Sequence, residues 1–294
     1  MDESFAGITI PAYAKINLYL AVGDRRADGY HPITSIMHLI SLHDSVTVSP
    51  AHDEGVQITV EFPDHVPGQE LVPTDDTNSV TKVISALGIS SARVHLVKRI
   101  PPGSGLGGES ADAAAALTAC ASGSFNAPEL FRISTRLGSD VGFFLSGGSA
   151  ALVTGAGETV TPVEPFPGIQ LVLAMPPRNL STAAVYREFD SCGFRSPGSP
   201  NKALRAMASK DLPALCRCLR NDLQLPAEHL APEITQIRHA FQRLGVLAAQ
   251  VTGSGSAVFG IVENEKEARE VSSALAAEPF VEWTCVCETI ALRR

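Results

Sequence analysis

Four glycines within six positions, Gly103, Gly105, Gly107 and Gly108, form the segment of this chain best suited to chemistry. A strand-like run at 94–100 leads into them, and an alanine-rich stretch at 109–121 with helical character follows. Glycine lets a backbone turn sharply and approach a ligand with no Cβ in the way. The first N–H groups of a helix have no partner inside it, and they carry the positive end of its dipole. A strand, a glycine loop and a helix start together make a phosphate cradle built mostly from main chain. The ordinary alternative is a glycine-rich turn before an ordinary helix.

Two familiar phosphate loops do not fit. The dinucleotide fingerprint places its glycines at G-x-G-x-x-G and needs an acidic residue closing the next strand. Gly103, Gly105 and Gly108 have that spacing, but Pro101 and Pro102 precede them and no such strand follows the helix. The Walker loop needs G-K-[ST] at the helix start. Here Gly108 is followed by Glu109 and Ser110, with no lysine.

The elements that must hold this loop read as α+β, because strands and helices mix without strict βαβ alternation. Strands are expected at 8–22 (one or two), 33–40, 45–49, 56–62, 93–100, 150–154, 169–174 and 282–292. Two more pieces are expected within 250–262, around Gly253-Ser-Gly255. Helices are expected at 78–87, 109–121, 128–137, 182–190, 202–223, 232–244 and 266–277. Residues 63–77 and 191–200 read as loops and 138–142 as a turn. The Gly/Pro-rich stretch 155–168 suggests a boundary between domains at 1–160 and 161–294.

The 294 residues are 45% apolar, enough for a substantial core, and the net charge is −8. That balance argues against a general nucleic-acid or anionic-membrane surface, which needs a basic face. It leaves room for a small anion held locally. The acidic start, residues 1–4, lacks the basic and apolar regions of a signal peptide. No apolar run is long enough for a bilayer. A soluble cytoplasmic protein is expected, as a monomer or homodimer. The six cysteines form no secreted framework. Cys216-x-Cys218 and Cys285-x-Cys287 invite a four-thiolate zinc site, but residues two apart on a helix face away from each other. They are read as buried structural thiols, and no metal ligands are assigned.

Four segments line up with the glycine loop. Pro11-Ala-Tyr-Ala-Lys15-Ile-Asn17 comes first, followed by Asp28-Gly-Tyr30-His31. Gly138-Ser-Asp140-Val-Gly-Phe-Phe and Thr252-Gly-Ser-Gly-Ser256 follow the loop. Their order and spacing resemble the GHMP superfamily of small-molecule kinases. Lys-Ile-Asn with Asp-Gly-Tyr-His narrows the resemblance to the 4-diphosphocytidyl-2-C-methyl-D-erythritol kinase family, over nearly the whole chain. The resemblance implies a two-domain α+β fold with ATP in the glycine loop and substrate in the interdomain cleft. It implies ATP-dependent phosphorylation of the 2-hydroxyl of 4-diphosphocytidyl-2-C-methyl-D-erythritol, in non-mevalonate isoprenoid precursor biosynthesis.

Residue roles follow from the matched positions. The resemblance makes Asp140 the base for the acceptor hydroxyl and Lys15 the cation that keeps it ionised and offsets phosphoryl charge. Asn78, Lys98, Pro101, Gly103, Ser104, Gly105, Leu106, Gly107, Gly108 and Ser110 would bind ATP, with Mg²⁺ as its companion ion. Tyr30 and Tyr186 would stack on cytosine and His31 would bond its edge. Asn17 and Thr182 would fix the sugar-alcohol and diphosphate. Each has a plainer alternative: a cap or turn for Asp140, a snorkelling strand lysine for Lys15, a packing tyrosine for Tyr186, a turn histidine for His31, a strand bend for Gly253-Ser-Gly255.

The chain departs from the family at four places. Glu109 stands where a third glycine is usual, Gly142 where proline is, and Ser139 where alanine is common, and the helix before the loop is short. A carboxylate about 4 Å from a phosphate oxygen costs roughly 4 kcal/mol at an effective dielectric of 20. Glu109 escapes this by pointing outward, the arrangement expected here, or by meeting Mg²⁺. The rivals are a GHMP kinase for another small alcohol, such as homoserine or mevalonate, and a non-catalytic binding protein of the same fold.

Overall fold

The computed structural model describes residues 7–51, 53–121, 127–193 and 198–292. The reading of residues 1–4, and the middle of the loop expected at 191–200, lie outside the described residues. In chain order the elements begin with β1 (Ile8–Val22), β2 (Ile33–Ser49), β3 (Gly55–Glu61), α1 (Ser79–Ala86), β4 (Ser91–Val97), α2 (Gly108–Cys120), α3 (Ala127–Leu137), α4 (Val141–Leu145), β5 (Ala150–Gly155) and β6 (Thr159–Pro162). They continue with β7 (Gln170–Met175), α5 (Thr182–Cys192), α6 (Asn201–Ala208), α7 (Leu212–Cys216), β8 (Arg220–Asn221), α8 (Gln224–Leu230), α9 (Pro232–Arg243), β9 (Ala248–Val251), β10 (Val258–Val262), α10 (Glu265–Ala276) and β11 (Trp283–Glu288).

Two compact units share these elements. The first comprises the chain up to Ala14, Leu42–Pro102 and Gly107–Gly147. The second comprises Lys15–Ser41, Gly103–Leu106 and the chain from Gly148 onward. The sequence reading placed one boundary at 160/161, whereas these units interleave along the chain.

In the first unit, β4 pairs antiparallel with the end of β2, Ser45 opposite Val97 and Ser49 opposite Arg93. β3 runs parallel to β4. Alternate residues Val46 and Val48 of β2, and Ala92, Val94 and Leu96 of β4, point inward and are buried, the period of two that a half-buried sheet imposes. They pack with Val80, Val83 and Ile84 of α1 and with α2. α2 is buried on every face, from Ala111 through Leu117 and on to Ala119 and Cys120. Alanine is the best helix former, and its small side chain lets neighbours close in from all sides.

In the second unit, β11, β7, β10 and β9 form an antiparallel sheet in that order. Its core joins Val172, Ala174, Val258 and Val262 to Phe189 of α5, Ile234, Ile237 and Phe241 of α9, and Leu275 of α10. β5 pairs antiparallel with the first part of β2. β8 adds a short parallel pair to β1, Tyr19 opposite Arg220.

Four sequence expectations are corrected. The strands expected at 33–40 and 45–49 are one strand, β2, which runs on through His43 and Asp44. Asp44 is fully buried, so a polar residue that reads as a break lies inside the strand. The turn at 138–142 leads into a short helix, α4. The single helix at 202–223 is instead α6, α7 and β8. Lys210 takes a left-handed φ of 55°, and Asp211 restarts the chain by accepting the Ala214 N–H as an N-cap. Of the four paired thiols, Cys287 is buried, but Cys216, Cys218 and Cys285 are half-buried.

Candidate active site

The second unit holds a network around a buried cation. Lys15, 3% exposed, lies on β1, and its backbone N–H donates to the Leu106 carbonyl at 2.9 Å. Its ammonium donates to Asn17 Oδ1 at 2.7 Å. An ammonium only donates, so the amide oxygen must face it. That oxygen also accepts from Thr252 Oγ1 at 3.2 Å, and the Asn17 amide donates to Ser35 Oγ at 2.8 Å. The Asn17 backbone N–H donates to Thr252 Oγ1, and Gln250 Nε2 donates to the Asn17 carbonyl. Thr252 and Ser35 thus fix the carboxamide that faces Lys15, and Gln250 and Thr252 hold the Asn17 backbone.

The turn after β9 is bound to the glycine loop. Ala257 N–H donates to the Ser104 carbonyl at 3.1 Å, and Asn221 Nδ2 donates to the carbonyls of Val251 and Gly253. Gly105 has φ +79°, and a methyl built there would overlap the Thr252 carbonyl and crowd the Gly255 backbone. The loop therefore needs glycine at 105 for conformation and for space. A methyl built on Gly253 would lie 3.3 Å from Lys15 Nζ, which sets the ammonium beside this turn. Thr182 Oγ1 lies 3.0 Å from Ser254 Oγ, so the start of α5 joins the same cluster. Gly103 lies against Asn179.

The first unit carries the helix side of the loop. Gly107, at φ 79°, is the N-cap of α2, and its carbonyl accepts the Ala111 N–H. Gly108 packs so closely on Ile100 that a methyl would stand 2.9 Å from its side chain. Glu109 lies in the first turn with its side chain exposed, and its carbonyl accepts from Ser79 Oγ at 3.2 Å. Gly138 lies against Ser110, a built Cβ falling 3.4 Å from its hydroxyl. The Gly138-Ser-Asp140 segment therefore lies at the start of α2. Asp140 precedes α4 but makes no side-chain cap bond to it, so capping does not account for this aspartate.

Two of the residues expected to bind ATP have structural partners. Asn78 caps α1, accepting from the Val80 N–H at 2.9 Å and donating to the Pro73 carbonyl at 2.7 Å. Lys98 is buried and lies between Asp44 and Asp112, with Asp112 Oδ2 at 2.5 Å. Asp44 also accepts the N–H groups of Arg99 and Ile100. Burial alone would lower Lys98, but the charges of Asp112 and Asp44 overcome it and raise the ammonium above its ordinary range. Two carboxylates share one cation. Burial, reinforced by Asp44 and opposed by Lys98, pushes the Asp112 carboxyl up to about 7. This cluster ties the last residues of the strand side, Lys98 to Ile100, to the second turn of α2. Pro101, also buried, follows directly.

The residues expected at the base are divided. His31 and Tyr186 are brought together, their ring centroids 5.4 Å apart, with Phe189 edge-on to His31 at 5.8 Å. His31 is 8% exposed, and its Nδ1 donates to the Gly23 carbonyl at 2.9 Å. Its Nε2 faces Asp190 Oδ2 at 3.4 Å. Tyr30 is 66% exposed, and its backbone N–H bonds the Asp28 carboxylate. Thr182 lies with the Ser254 turn.

Sequence reasoning missed the supporting residues: Ser35, Gln250 and Asn221 around Lys15 and the turn, and Asp44 and Asp112 around Lys98. The signal available was a polar residue at an inward position of a strand or helix, as at Asp44 between the alternating apolar residues of β2.

Two family models match the chain: "GHMP kinases N terminal domain" over residues 78–156 and "GHMP kinases C terminal" over 202–281. A 4-diphosphocytidyl-2-C-methyl-D-erythritol kinase from Streptomyces coelicolor is 39% identical, covering 92% of each chain. One from Pelotomaculum thermopropionicum is 38% identical over 90% of this chain and 93% of that one. A crystal structure of a 4-(cytidine 5'-diphospho)-2C-methyl-D-erythritol kinase superposes with TM-score 0.75 at 31% identity, covering 96% of this chain and 98% of that chain. An L. major mevalonate kinase also superposes at TM-score 0.75, but at 16% identity, which shows the shared fold alone. Relatedness at this level covers at least 90% of this chain, and on it the chain belongs to the 4-diphosphocytidyl-2-C-methyl-D-erythritol kinase family.

Proposed function

We propose that this protein transfers the γ-phosphoryl group of ATP to the 2-hydroxyl of 4-diphosphocytidyl-2-C-methyl-D-erythritol, in non-mevalonate isoprenoid precursor biosynthesis. The observation that carries the mechanism is the buried Lys15, bonded through its own backbone to the glycine loop and aimed by Asn17. A cation fixed beside such a loop is placed to offset phosphate charge.

Phosphoryl transfer needs position and charge neutralisation more than covalent help. The backbone of Gly103, Ser104, Gly105, Leu106, Gly107 and Gly108, with Ser110, wraps the phosphates. Lys15 offsets charge on the moving group. Asp140 orients the acceptor hydroxyl and takes its proton as the new O–P bond forms and the bond to the ADP oxygen breaks. Asn78 and Lys98 act on the ATP side by shaping it, one through the α1 cap and the other through the carboxylates it joins. Mg²⁺, when bound with ATP, would supply charge neutralisation. Ser110, in the first turn of α2, would offer it a hard oxygen donor, while the exposed Glu109 stays outward.

Tyr186, with His31 beside it, takes one face of the cytosine, and the exposed Tyr30 is free to cover the other. Thr182 and Asn17 complete the substrate contacts. The protein acts in the cytoplasm on small molecules, as a monomer or homodimer, and engages neither nucleic acid nor membrane. Among the described residues no helix is long and apolar enough to cross a membrane.

The test is ADP formation with the cytidyl substrate by wild type and Asp140→Asn. Turnover should fall by about 10²-fold or more while ATP affinity stays within about twofold. A variant that keeps most of its turnover would make Asp140 structural.

A further inference from the structure

Away from the residues assigned to phosphoryl transfer, α5 and α8 bring three metal-ligating side chains together. Glu188 and Cys192 stand one turn apart on α5, the i,i+4 spacing that puts two side chains on one face. His229 lies in the last turn of α8. His229 Nδ1 is 2.9 Å from Glu188 Oε1. Cys192 Sγ is 3.6 Å from each of those two atoms. Cys192 forms no disulfide, and the His229 side chain is about half exposed, so an ion has a path in from solvent.

This triangle has nearly the dimensions of three corners of a zinc tetrahedron. Zinc–sulfur bonds of about 2.3 Å and zinc–nitrogen or zinc–oxygen bonds of about 2.0–2.1 Å give sulfur edges of about 3.5 Å and a nitrogen–oxygen edge of about 3.3 Å. Both sulfur edges are already in place. The third edge, now a hydrogen bond, need open by only about 0.4 Å.

We propose that Glu188, Cys192 and His229 bind a zinc ion that staples α5 to α8, with its fourth position open to solvent. A thiolate, an imidazole and a carboxylate favour zinc over magnesium, which prefers six oxygens. On binding, the Cys192 proton leaves to solvent. The imidazole proton now directed at Glu188 moves to Nε2, freeing the Nδ1 lone pair for the metal. Burial, and then the nearby Glu188 carboxylate, raise the Cys192 thiol, and a divalent cation among these groups reverses that balance. The site lies ten residues along α5 from Thr182, about 15 Å by helical rise. It therefore steadies the helix that presents Tyr186 without occupying the substrate residues.

Cobalt is the probe, added to the purified, nucleotide-free full chain. Wild type should take up one equivalent of Co²⁺, show a thiolate-to-cobalt charge-transfer band, and lose it when Zn²⁺ is added. Cys192→Ser should abolish the band, and His229→Ala should weaken Zn²⁺ binding at least about tenfold. Cys218→Ser should leave both unchanged. Zn²⁺ should raise the melting temperature of wild type but not of Cys192→Ser, and the two should melt alike without metal. No band in wild type, a band that persists in Cys192→Ser, or unchanged Zn²⁺ affinity in His229→Ala would overturn the proposal.

Discussion

Asn17 illustrates what a single side chain decides here. Its carboxamide oxygen accepts from both Lys15 and Thr252 while its amide donates to Ser35, so this residue links the cation to two other segments of the chain. The family resemblance made Asn17 a substrate contact, and the structure gives it a positioning task besides. The difference was not legible because Ser35 and Gln250 belong to no motif, and Thr252, which does, lies 235 residues from Asn17. Lys98 teaches the same lesson: a matched position gave it a ligand role, but two buried carboxylates take its charge. The His31–Tyr186 pair was foreseen as two separate contacts, and the structure joins their rings. Tyr186→Ala should weaken cytidyl-substrate binding by about 1–3 kcal/mol, the scale of stacking on a base. ATP binding should not change. Calorimetric titration of each ligand checks this, and equal loss of both would make Tyr186 a folding residue.

At the scale of elements, the strand, glycine loop and alanine helix were legible because glycine and alanine leave few alternatives in that order. The helix expected at 202–223 was not. Its apolar spacing is helical throughout, and a left-handed Lys210 followed by the Asp211 cap overrides that local pattern. Two predictions belong here. Gly105→Ala should cost about 1–2 kcal/mol for the left-handed backbone alone, before the overlap with the Thr252 carbonyl is counted. The melting temperature should fall by at least about 2 °C, and ATP affinity should fall at least about threefold. A variant that melts and binds ATP like wild type would show that the loop has room to spare.

The second element-scale prediction concerns the cluster that joins β4 to α2. The Asp112 carboxyl keeps its proton to about pH 7 in the folded chain, but only to about pH 4 when unfolded. The folded state thus binds the extra proton. The stability this supplies is full below about pH 4 and lost as pH rises through about 7. Asp112→Asn cannot ionise and leaves Lys98 paired with Asp44. The melting temperature of wild type minus that of Asp112→Asn should therefore decrease from about pH 5 to about pH 8. A difference that grows over that range would contradict the assignment of the excess charge to Asp112.

On the whole-molecule scale, the two compact units draw residues from three stretches of chain each, and β1 and β2 contribute to both. A reader of sequence finds linkers by composition, and the Gly/Pro-rich stretch at 155–168 is the obvious one. No composition change marks the passage at Ala14 or Ser41, because both lie inside continuous strands. The α+β class and the family were legible because the matched motifs span the chain, and the relatives agree over nine-tenths of it. The fold is shared with mevalonate and homoserine kinases at 16% identity, so the fold leaves the acceptor alcohol open. In the proposed function, recognition of a base through Tyr30, His31 and Tyr186 is what would separate the cytidyl substrate from those smaller alcohols. The most direct measurement is ADP release by the purified protein with the cytidyl substrate, homoserine and mevalonate offered side by side. The account predicts turnover of the cytidyl substrate, with kcat/KM for the other two lower by at least about 10²-fold. Comparable or faster turnover of homoserine or mevalonate, or no ADP release with the cytidyl substrate, would contradict it.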